Sequence, residues 1–203
     1  MAKIALIGAS GNAGSRILKE LSDRGHQVTA IARNPEKIAT LPNVVAKKGD
    51  VFDQTGLSKL LAGHDAVISS VHFTASDPDT LIAAARASGV KRYLVVGGAG
   101  SLEVAPGKRL VDTPEFPAIY KAEALKGGDF LNTLRTVSDL DWTFLSPSAL
   151  FIAGERTGTY RLGKDALLTN DKGSSISFED YAIVMADEIE NPKHIRQRFT
   201  VGY

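Results

Sequence analysis

Short apolar segments and segments of helical spacing alternate along the whole chain, and this alternation constrains the fold more than any other feature. Predicted strands lie at residues 3–8, 27–32, 44–48, 65–71, 92–97, 142–145 and 198–201. Predicted helices lie at residues 15–21, 54–62, 78–88, 119–139 and 179–190. This pattern is typical of parallel strands joined by right-handed crossover helices. It predicts an α/β fold, a doubly wound parallel sheet with helices on both faces.

The chain has the length of one domain. Its 203 residues can bury a substantial core, and no repeat, low-complexity tract or linker divides them, so we expect a single domain over residues 1–203. Two long irregular stretches interrupt the alternation, at residues 98–118 and 147–176, and a short hairpin is expected around residues 160–162. Both stretches should lie at the carboxyl edge of the sheet, where ligands of such sheets bind. We expect them to form a small substrate region toward the C-terminus.

The composition excludes several classes of function. The chain has no Cys, which excludes a disulfide scaffold, a thiolate metal site and a Cys nucleophile. Its 4 His residues show no metal-ligand spacing, so no metal site is expected. A net charge of +1 argues against nucleic-acid binding. No apolar segment approaches the ~18 residues of a membrane span, and no signal peptide is recognisable, so we expect a cytoplasmic protein without membrane association.

A glycine-rich turn with the sequence GASGNAG connects the first predicted strand to the first helix. Gly8 would permit the sharp turn, Gly11 a close approach of the backbone to a pyrophosphate, and Gly14 tight packing of the helix on the sheet. Free N–H groups and the helix dipole favour an anion at this point. The turn therefore predicts a Rossmann-like dinucleotide site. Its binding residues would be Gly8, Ser10, Gly11, Asn12, Ala13 and Gly14.

The residues after the second predicted strand discriminate between cofactors. NAD-binding proteins of this type usually carry Asp or Glu there, which holds the ribose 2′-hydroxyl. Here the strand runs into Arg33 and Asn34, with no acid. A guanidinium can hold a 2′-phosphate by charge-assisted hydrogen bonds, and Asn34 could add another bond. We therefore expect NADP(H) to be preferred over NAD(H).

Several segments together resemble one superfamily. The turn at residues 8–14, GDVFD at 49–53, the strand end at 69–71 and VGGAGS at 96–101 resemble the short-chain dehydrogenase/reductase superfamily. More narrowly, segments 110–117, 145–151 and 196–203 resemble its atypical branch of NADH-flavin reductases akin to biliverdin reductase B. The resemblance extends over essentially the whole chain. It implies an NAD(P)H-dependent oxidoreductase with a Rossmann-like fold.

The resemblance also implies contacts with the two ends of the cofactor. Asp50 and Val51 would border the adenine, Asp50 through a hydrogen bond. Ser69, Ser70 and Val71, at the end of the fourth predicted strand, would pass beneath the nicotinamide ribose.

Two further pairs would surround the nicotinamide itself. The resemblance implies that Gly97 and Gly98 line the ring, in the place where active superfamily members carry a catalytic Ser or Thr. Pro147 and Ser148, after the sixth predicted strand, would close over the nicotinamide amide. All of these residues would bind the cofactor rather than react with it.

The chain departs from the superfamily at its catalytic pair, which is Tyr-x-x-x-Lys. The Lys of that pair lowers the pKa of the phenol, so that the Tyr can pass a proton to a carbonyl substrate. Here the candidate Tyr120 is followed by Lys121, and the position where the pair has its Lys is Ala124. The carbonyl-reducing arrangement is therefore absent or rebuilt. Tyr120 and Lys121 remain candidate catalytic residues, as contacts to cofactor or substrate.

Hydride transfer to a flavin needs no such pair, because the cofactor supplies the hydride and the protein supplies position. We expect the acceptor to be a small molecule, either a flavin (FMN or FAD, as a substrate) or a quinone-like ring. His72 follows the fourth predicted strand and is a candidate catalytic residue, which could donate a proton or hold an anionic acceptor. Phe73, Phe116 and Phe151 could stack on a flat ring, or could serve only as core or lid contacts.

Two other functions stay open at this point. The absence of Tyr-x-x-x-Lys permits a non-catalytic NADP(H)-binding redox sensor that regulates a partner. An isomerase or epimerase of nucleotide sugars is less favoured, since such enzymes need the Tyr–Lys pair and a larger C-terminal region. The oligomeric state, monomer or homodimer, also stays open, as does whether a flavin would be substrate or prosthetic group.

Overall fold

The computed structural model describes residues 1–203 and is built around an eight-stranded sheet. The strands are β1 (Lys3–Ile7), β2 (Gln27–Ala32), β3 (Val44–Lys48), β4 (Ala66–Ser69), β5 (Arg92–Val96), β6 (Glu103–Ala105), β7 (Lys108–Arg109), β8 (Asp141–Pro147), β9 (Leu150–Ile152), β10 (Arg161–Gly163), β11 (Ser175–Ser177) and β12 (Gln197–Gly202). The helices are α1 (Asn12–Asp23), α2 (Gln54–Leu61), α3 (Pro78–Ser88), α4 (Ala118–Arg135) and α5 (Phe178–Glu190). Short 3-10 turns lie at Pro35–Lys37, Phe73–Ala75 and Leu110–Asp112.

The order of strands in the main sheet is β10-β12-β8-β5-β4-β1-β2-β3. All neighbouring strands are parallel except β10, which runs antiparallel to β12. The chain winds outward from β1 through β2 and β3, then returns to β4 on the other side of β1. The predicted doubly wound α/β sheet is thereby confirmed. Its topological switch point lies between β1 and β4, where such sheets bind their ligands at the carboxyl edge.

Helices cover both faces of the sheet, and the alternation of side chains along β1 shows why two cores form. Ile4 and Leu6 point to the face packed by α1 and α5, whereas Ala5 and Ile7 point to the face packed by α2, α3 and α4. The first core is completed by residues such as Tyr181, which is fully buried. Because both faces are covered, the central strands β1, β4 and β5 are mostly apolar, as buried parallel strands require, whereas the edge strand β3 is largely exposed. None of the five helices is both long enough and apolar enough to cross a membrane.

The two irregular stretches contain short strands that the sequence did not indicate. The first holds the small hairpin β6–β7, and the second holds β9 and β11, which pair with each other in parallel. The expected hairpin around residues 160–162 is wrong. Arg161–Gly163 instead extends the edge of the main sheet, with Leu162 opposite Val201. The partner lies about forty residues further along the chain, so the pairing leaves no local pattern.

Candidate functional site

Two glycines of the turn between β1 and α1 are required by the backbone. Gly8 has a φ of +81°, and a Cβ atom there would lie 2.0 Å from the carbonyl oxygen of Ser70. A Cβ atom at Gly14 would lie 2.1 Å from the carbonyl oxygen of Gly8. Both contacts are impossible for a side chain, so these glycines let α1 begin directly against the ends of β1 and β4. The turn therefore lies at the switch point of the sheet.

Gly11 is different, because the fold itself tolerates a side chain there. It precedes α1 with φ −75° and ψ 172°, a conformation that any residue can adopt. A Cβ atom there would meet only the carbonyl oxygen of Gly8 closely, at 3.3 Å. Gly11 is exposed, so its missing side chain leaves open space above the helix start. That space is where an anion would approach the backbone.

The start of α1 presents unused hydrogen-bond donors to this space. The N–H groups of Ser10, Asn12, Ala13 and Gly14 have no acceptor within the protein. No side chain caps the helix, and no acid lies in its first turn. The residues therefore fit a pyrophosphate, whose oxygens would accept from these N–H groups at the positive end of the helix dipole. We call this set of residues, 8–14, the glycine cradle.

Three cations lie where β2 and β3 end, at the same edge of the sheet as the cradle. Arg33 and Asn34 are exposed and directly follow β2, and Lys47 and Lys48 end β3 in register with the last residues of β2. Neither Arg33 nor either lysine forms an ion pair with an acid of the chain. An unneutralised cationic group at this position suits a phosphate on the adenosine ribose.

Asp50 caps the turn after β3. One of its carboxylate oxygens accepts the N–H of Phe52 at 3.0 Å, and the group is exposed. This bond gives Asp50 a local structural role, while its other oxygen is free for the hydrogen bond to adenine that the resemblance implies. Val51, the other predicted adenine contact, is half-buried against the core on the α2 side.

Three predicted nicotinamide-side residues lie at the end of β4. Ser69 is buried, and its hydroxyl accepts a hydrogen bond from the Tyr93 hydroxyl at 3.1 Å, so its side chain is directed into the core. Burial holds the pKa of Tyr93 well above its ordinary value. Ser70 brings its carbonyl against Gly8, and Val71 is half-buried. Of these three residues, Ser69 is buried, whereas Ser70 and Val71 keep part of their surface exposed at the carboxyl edge.

The ends of β5 and β8 are closely packed. A Cβ atom at Gly97 would lie 2.5 Å from a ring carbon of Phe144, so the catalytic Ser or Thr of active superfamily members has no room there. At Gly98 a Cβ atom would make only an ordinary contact, 3.5 Å from Phe73. Pro147 is buried, as is Ser148, whose hydroxyl donates to the Val201 carbonyl at 3.1 Å. The side chain of Ser148 is thus directed toward β12, and its predicted contact with the nicotinamide amide stays a prediction.

Three candidate catalytic residues lie on the exposed side of this edge. The side chain of His72 is 84% exposed, and its Nδ1 lies 3.4 Å from a carboxylate oxygen of Glu123. Tyr120 is 62% exposed and its hydroxyl has no partner; Lys121 is also exposed and pairs with no acid. Ala124 packs against Gly100: a Cβ atom added at Gly100 would lie 2.6 Å from the Cβ of Ala124. No lysine is therefore placed to activate the phenol of Tyr120.

The aromatic side chains expected to stack on an acceptor mostly have partners already. Phe73 is buried and stacks on Phe144 with ring centroids 6.1 Å apart. Phe151 is half-buried against Phe178 and Tyr181. Phe73 and Phe151 therefore serve mainly as packing contacts, and Phe116, half-buried, stays a candidate for stacking.

Two residues that sequence reasoning missed lie at this edge. Arg16, on the second turn of α1, donates to the Asn12 carbonyl at 3.3 Å and to the Glu179 carboxylate at 3.0 Å. These bonds bring a cation near the cradle. Glu123 accepts hydrogen bonds from the turn after β4, about fifty residues earlier in the chain. Neither has a local sequence signal, because each depends on contacts made only in the folded chain.

Comparison with known proteins agrees with this geometry. A family model described as NAD(P)H-binding matches residues 8–192. Three similar solved structures bear different names. A "putative exported protein" of Burkholderia pseudomallei is 51% identical, with TM-score 0.91 and 100% of both chains covered. A "putative epimerase" of Bacteroides thetaiotaomicron is 45% identical, with TM-score 0.94, over 99% of this chain and 96% of its own.

The third structure, from Streptococcus pneumoniae, is named "a putative NADH-flavin reductase". It is 42% identical, with TM-score 0.85, and the match covers 100% of this chain and 99% of its own. The names disagree about activity, but the family match includes the glycine cradle and six of the eight strands of the main sheet, all except β1 and β12. The chain belongs to the NAD(P)H-binding family of Rossmann-fold proteins.

Proposed function

We propose that the protein is an NADPH-dependent reductase of flat conjugated acceptors, with FMN or FAD as substrate and quinones as a related class. One observation carries the proposal: the unused N–H donors of the cradle lie at the same edge of the sheet as the unpaired cations at the ends of β2 and β3, and the N–H of Gly8 donates to Ile31 at the end of β2. The cradle suits a pyrophosphate and the cations suit a ribose phosphate. The name of the 42%-identical Streptococcus pneumoniae protein supports a flavin as acceptor.

The residues of the chain would position the cofactor and give a proton to the acceptor, but they would supply no electrons. When bound, the nicotinamide supplies a hydride, which together with one proton converts an oxidised flavin to its reduced form. The cradle and Arg33 would hold the cofactor at its phosphates, and Gly98, where a side chain is absent, would leave room beside the nicotinamide. His72 is exposed at the same edge and gives one proton to the acceptor as the acceptor is reduced, then regains a proton from water.

Replacing Arg33 tests the proposed preference for NADPH. We expect wild type to bind NADPH roughly ten- to a hundredfold more tightly than NADH, because a charge-assisted contact contributes about 1.5–3 kcal/mol. Arg33→Ala should remove most of this difference while leaving the NADH dissociation constant unchanged. Fluorescence titration with both cofactors measures it, and Lys59→Ala, an exposed lysine of α2, is the control. Equal dissociation constants in wild type would contradict the proposed preference.

Tyr120→Phe tests whether catalysis depends on a phenol. The hydroxyl has no activating lysine, so we expect flavin reduction within about tenfold of wild type. His72→Ala should lose roughly a hundredfold, because a lost proton donor typically costs that much or more. The measurement is anaerobic steady-state oxidation of NADPH with FMN. A thousandfold loss in Tyr120→Phe would instead identify the phenol as the acid.

The second candidate is a redox sensor, favoured by the absence of a lysine at Ala124. Such a protein would bind NADPH tightly and oxidise none of it with any flavin or quinone. An epimerase, the name given to the Bacteroides thetaiotaomicron relative, is less favoured, because proton transfer at a sugar needs the Tyr–Lys pair. The steady-state assay with a panel of acceptors separates reductase from sensor.

A further inference from the structure

We propose that Glu123 is a positioning residue that orients His72 toward the acceptor, and that the two act as a unit. The inference rests on the proposed function, in which His72 is the proton donor, and it identifies the residue that orients His72. Glu123 lies on the second turn of α4, and His72 lies in the turn between β4 and α3. The fold brings the two elements together at the carboxyl edge, where the nicotinamide ring would lie.

The carboxylate of Glu123 holds this turn at several points. One oxygen accepts the N–H of Phe73 at 2.7 Å. The other accepts the N–H of Thr74 at 2.9 Å and the hydroxyl of Thr74 at 2.7 Å. The first oxygen also lies 3.4 Å from Nδ1 of His72. Glu123 therefore fixes both the backbone that carries His72 and the surroundings of one ring nitrogen.

Glu123 is held in its ionised form. Partial burial alone would raise its pKa, but the hydrogen bonds from Thr74 and Phe73 outweigh burial and lower the pKa below its ordinary value. An ionised carboxylate can only accept hydrogen bonds. The nitrogen that faces it, Nδ1 of His72, is therefore favoured as the one that carries a proton.

The assignment of Nδ1 determines what the other nitrogen can do. With the proton on Nδ1, the neutral ring presents Nε2 as an acceptor, and the charged ring presents an N–H there. The ring is exposed apart from its contact with Glu123, so Nε2 is free to meet a bound acceptor. One proton passes from Nε2 to the acceptor as the acceptor takes the hydride, and water returns a proton to Nε2. The electron pair comes entirely from the nicotinamide.

The alternative is that Glu123 only stabilises the turn. Both roles predict that removing the carboxylate disturbs residues 72–74, so a loss of activity alone does not distinguish them. A positioning role predicts in addition that the loss depends on the presence of His72. It also predicts a change in the proton distribution on the His72 ring, which a purely structural role would not produce.

The test combines Glu123→Gln with His72→Ala in a double-mutant cycle. Thr74→Val is the matched control, because it removes the Thr74 hydroxyl from Glu123 and leaves both backbone bonds and His72 in place. We expect Glu123→Gln to lower kcat with FMN roughly tenfold, with the NADPH dissociation constant within about twofold of wild type. In the His72→Ala background the same change should have almost no effect on kcat. Thr74→Val should keep kcat within about twofold.

A second measurement needs no turnover and keeps the inference distinct from the proposed function. Nitrogen NMR of the His72 ring should show more of the Nδ1-protonated neutral form in wild type than in Glu123→Gln. An unchanged proton distribution would overturn the inference, as would an equal loss of kcat in both backgrounds. If wild type bound NADPH but reduced no acceptor, the proposed function would fail while the NMR result still decided the Glu123–His72 contact.

Discussion

Gly11→Val is expected to weaken NADPH binding by at least about a hundredfold while the protein stays folded. The backbone of Gly11 is in an ordinary extended conformation, and a Cβ atom there would lie 3.3 Å from the Gly8 carbonyl oxygen and 4.0 Å from the Ser70 carbonyl oxygen. The rest of the valine side chain would occupy the open space above the start of α1. Loss of two or more charge-assisted N–H bonds to the pyrophosphate, each about 1.5–3 kcal/mol, accounts for the size of the effect.

The control for Gly11→Val is Gly14→Ala, in the same turn. A Cβ at Gly14 would lie 2.1 Å from the Gly8 carbonyl, so this change should destabilise the fold itself, by about 3 kcal/mol or more. Thermal unfolding and isothermal titration with NADPH separate the two kinds of loss. A Gly11→Val protein that binds NADPH as tightly as wild type would show that the pyrophosphate lies elsewhere.

Asp180→Ala is expected to cause a large loss of stability. Asp180 is fully buried at the start of α5. One carboxylate oxygen accepts the N–H groups of Thr157 and Gly158, at 2.8 and 2.9 Å. The other accepts the hydroxyls of Thr157 and Tyr203, at 2.6 and 2.7 Å. Because alanine removes four hydrogen bonds to a buried carboxylate, the free energy of unfolding should fall by about 3–5 kcal/mol.

The same carboxylate makes stability depend on pH. Burial would raise the pKa of Asp180, but its hydrogen bonds to Thr157, Gly158 and Tyr203 outweigh burial and lower the pKa. A lowered pKa in the folded state means that this stabilisation is present above the pKa of the unfolded chain. It is lost as the pH falls below about 4 and through the folded-state value.

Urea unfolding at neutral and acidic pH measures both effects. Asp180→Ala should be less stable than wild type at neutral pH, and the difference should shrink in acid. The exposed Asp171→Ala is the control and should match wild type at both pH values. An Asp180→Ala protein with unchanged stability at neutral pH would contradict the role assigned to this network.

The sheet could be predicted from the sequence because its signals are local. Parallel strands buried on both faces are short apolar segments, and the crossover helices between them have helical spacing. The glycine cradle was also predictable, since Gly8 and Gly14 are needed by the backbone of the turn itself. The edge strand β10 was not, because its pairing with β12 depends on residues far along the chain.

The acceptor side of the site was less predictable for the same reason. The absence of a lysine at Ala124 is visible in the sequence, but what replaces the Tyr–Lys pair is not. Glu123 is an unremarkable acid of a helix until the fold places it against the turn that carries His72. Likewise, the burial of Ser69 and Ser148 follows from packing against Tyr93 and β12, which no local pattern encodes.

The most direct test of the whole account is an anaerobic single-turnover reaction of the NADPH-loaded wild-type protein with FMN. The account predicts that the nicotinamide and flavin absorbance bands fall together, in equal amounts, and that deuterium at the transferred position of the nicotinamide slows both. Tight binding of NADPH with no loss of either band, for FMN and for a panel of flavins and quinones, would contradict a reductase and leave the redox sensor.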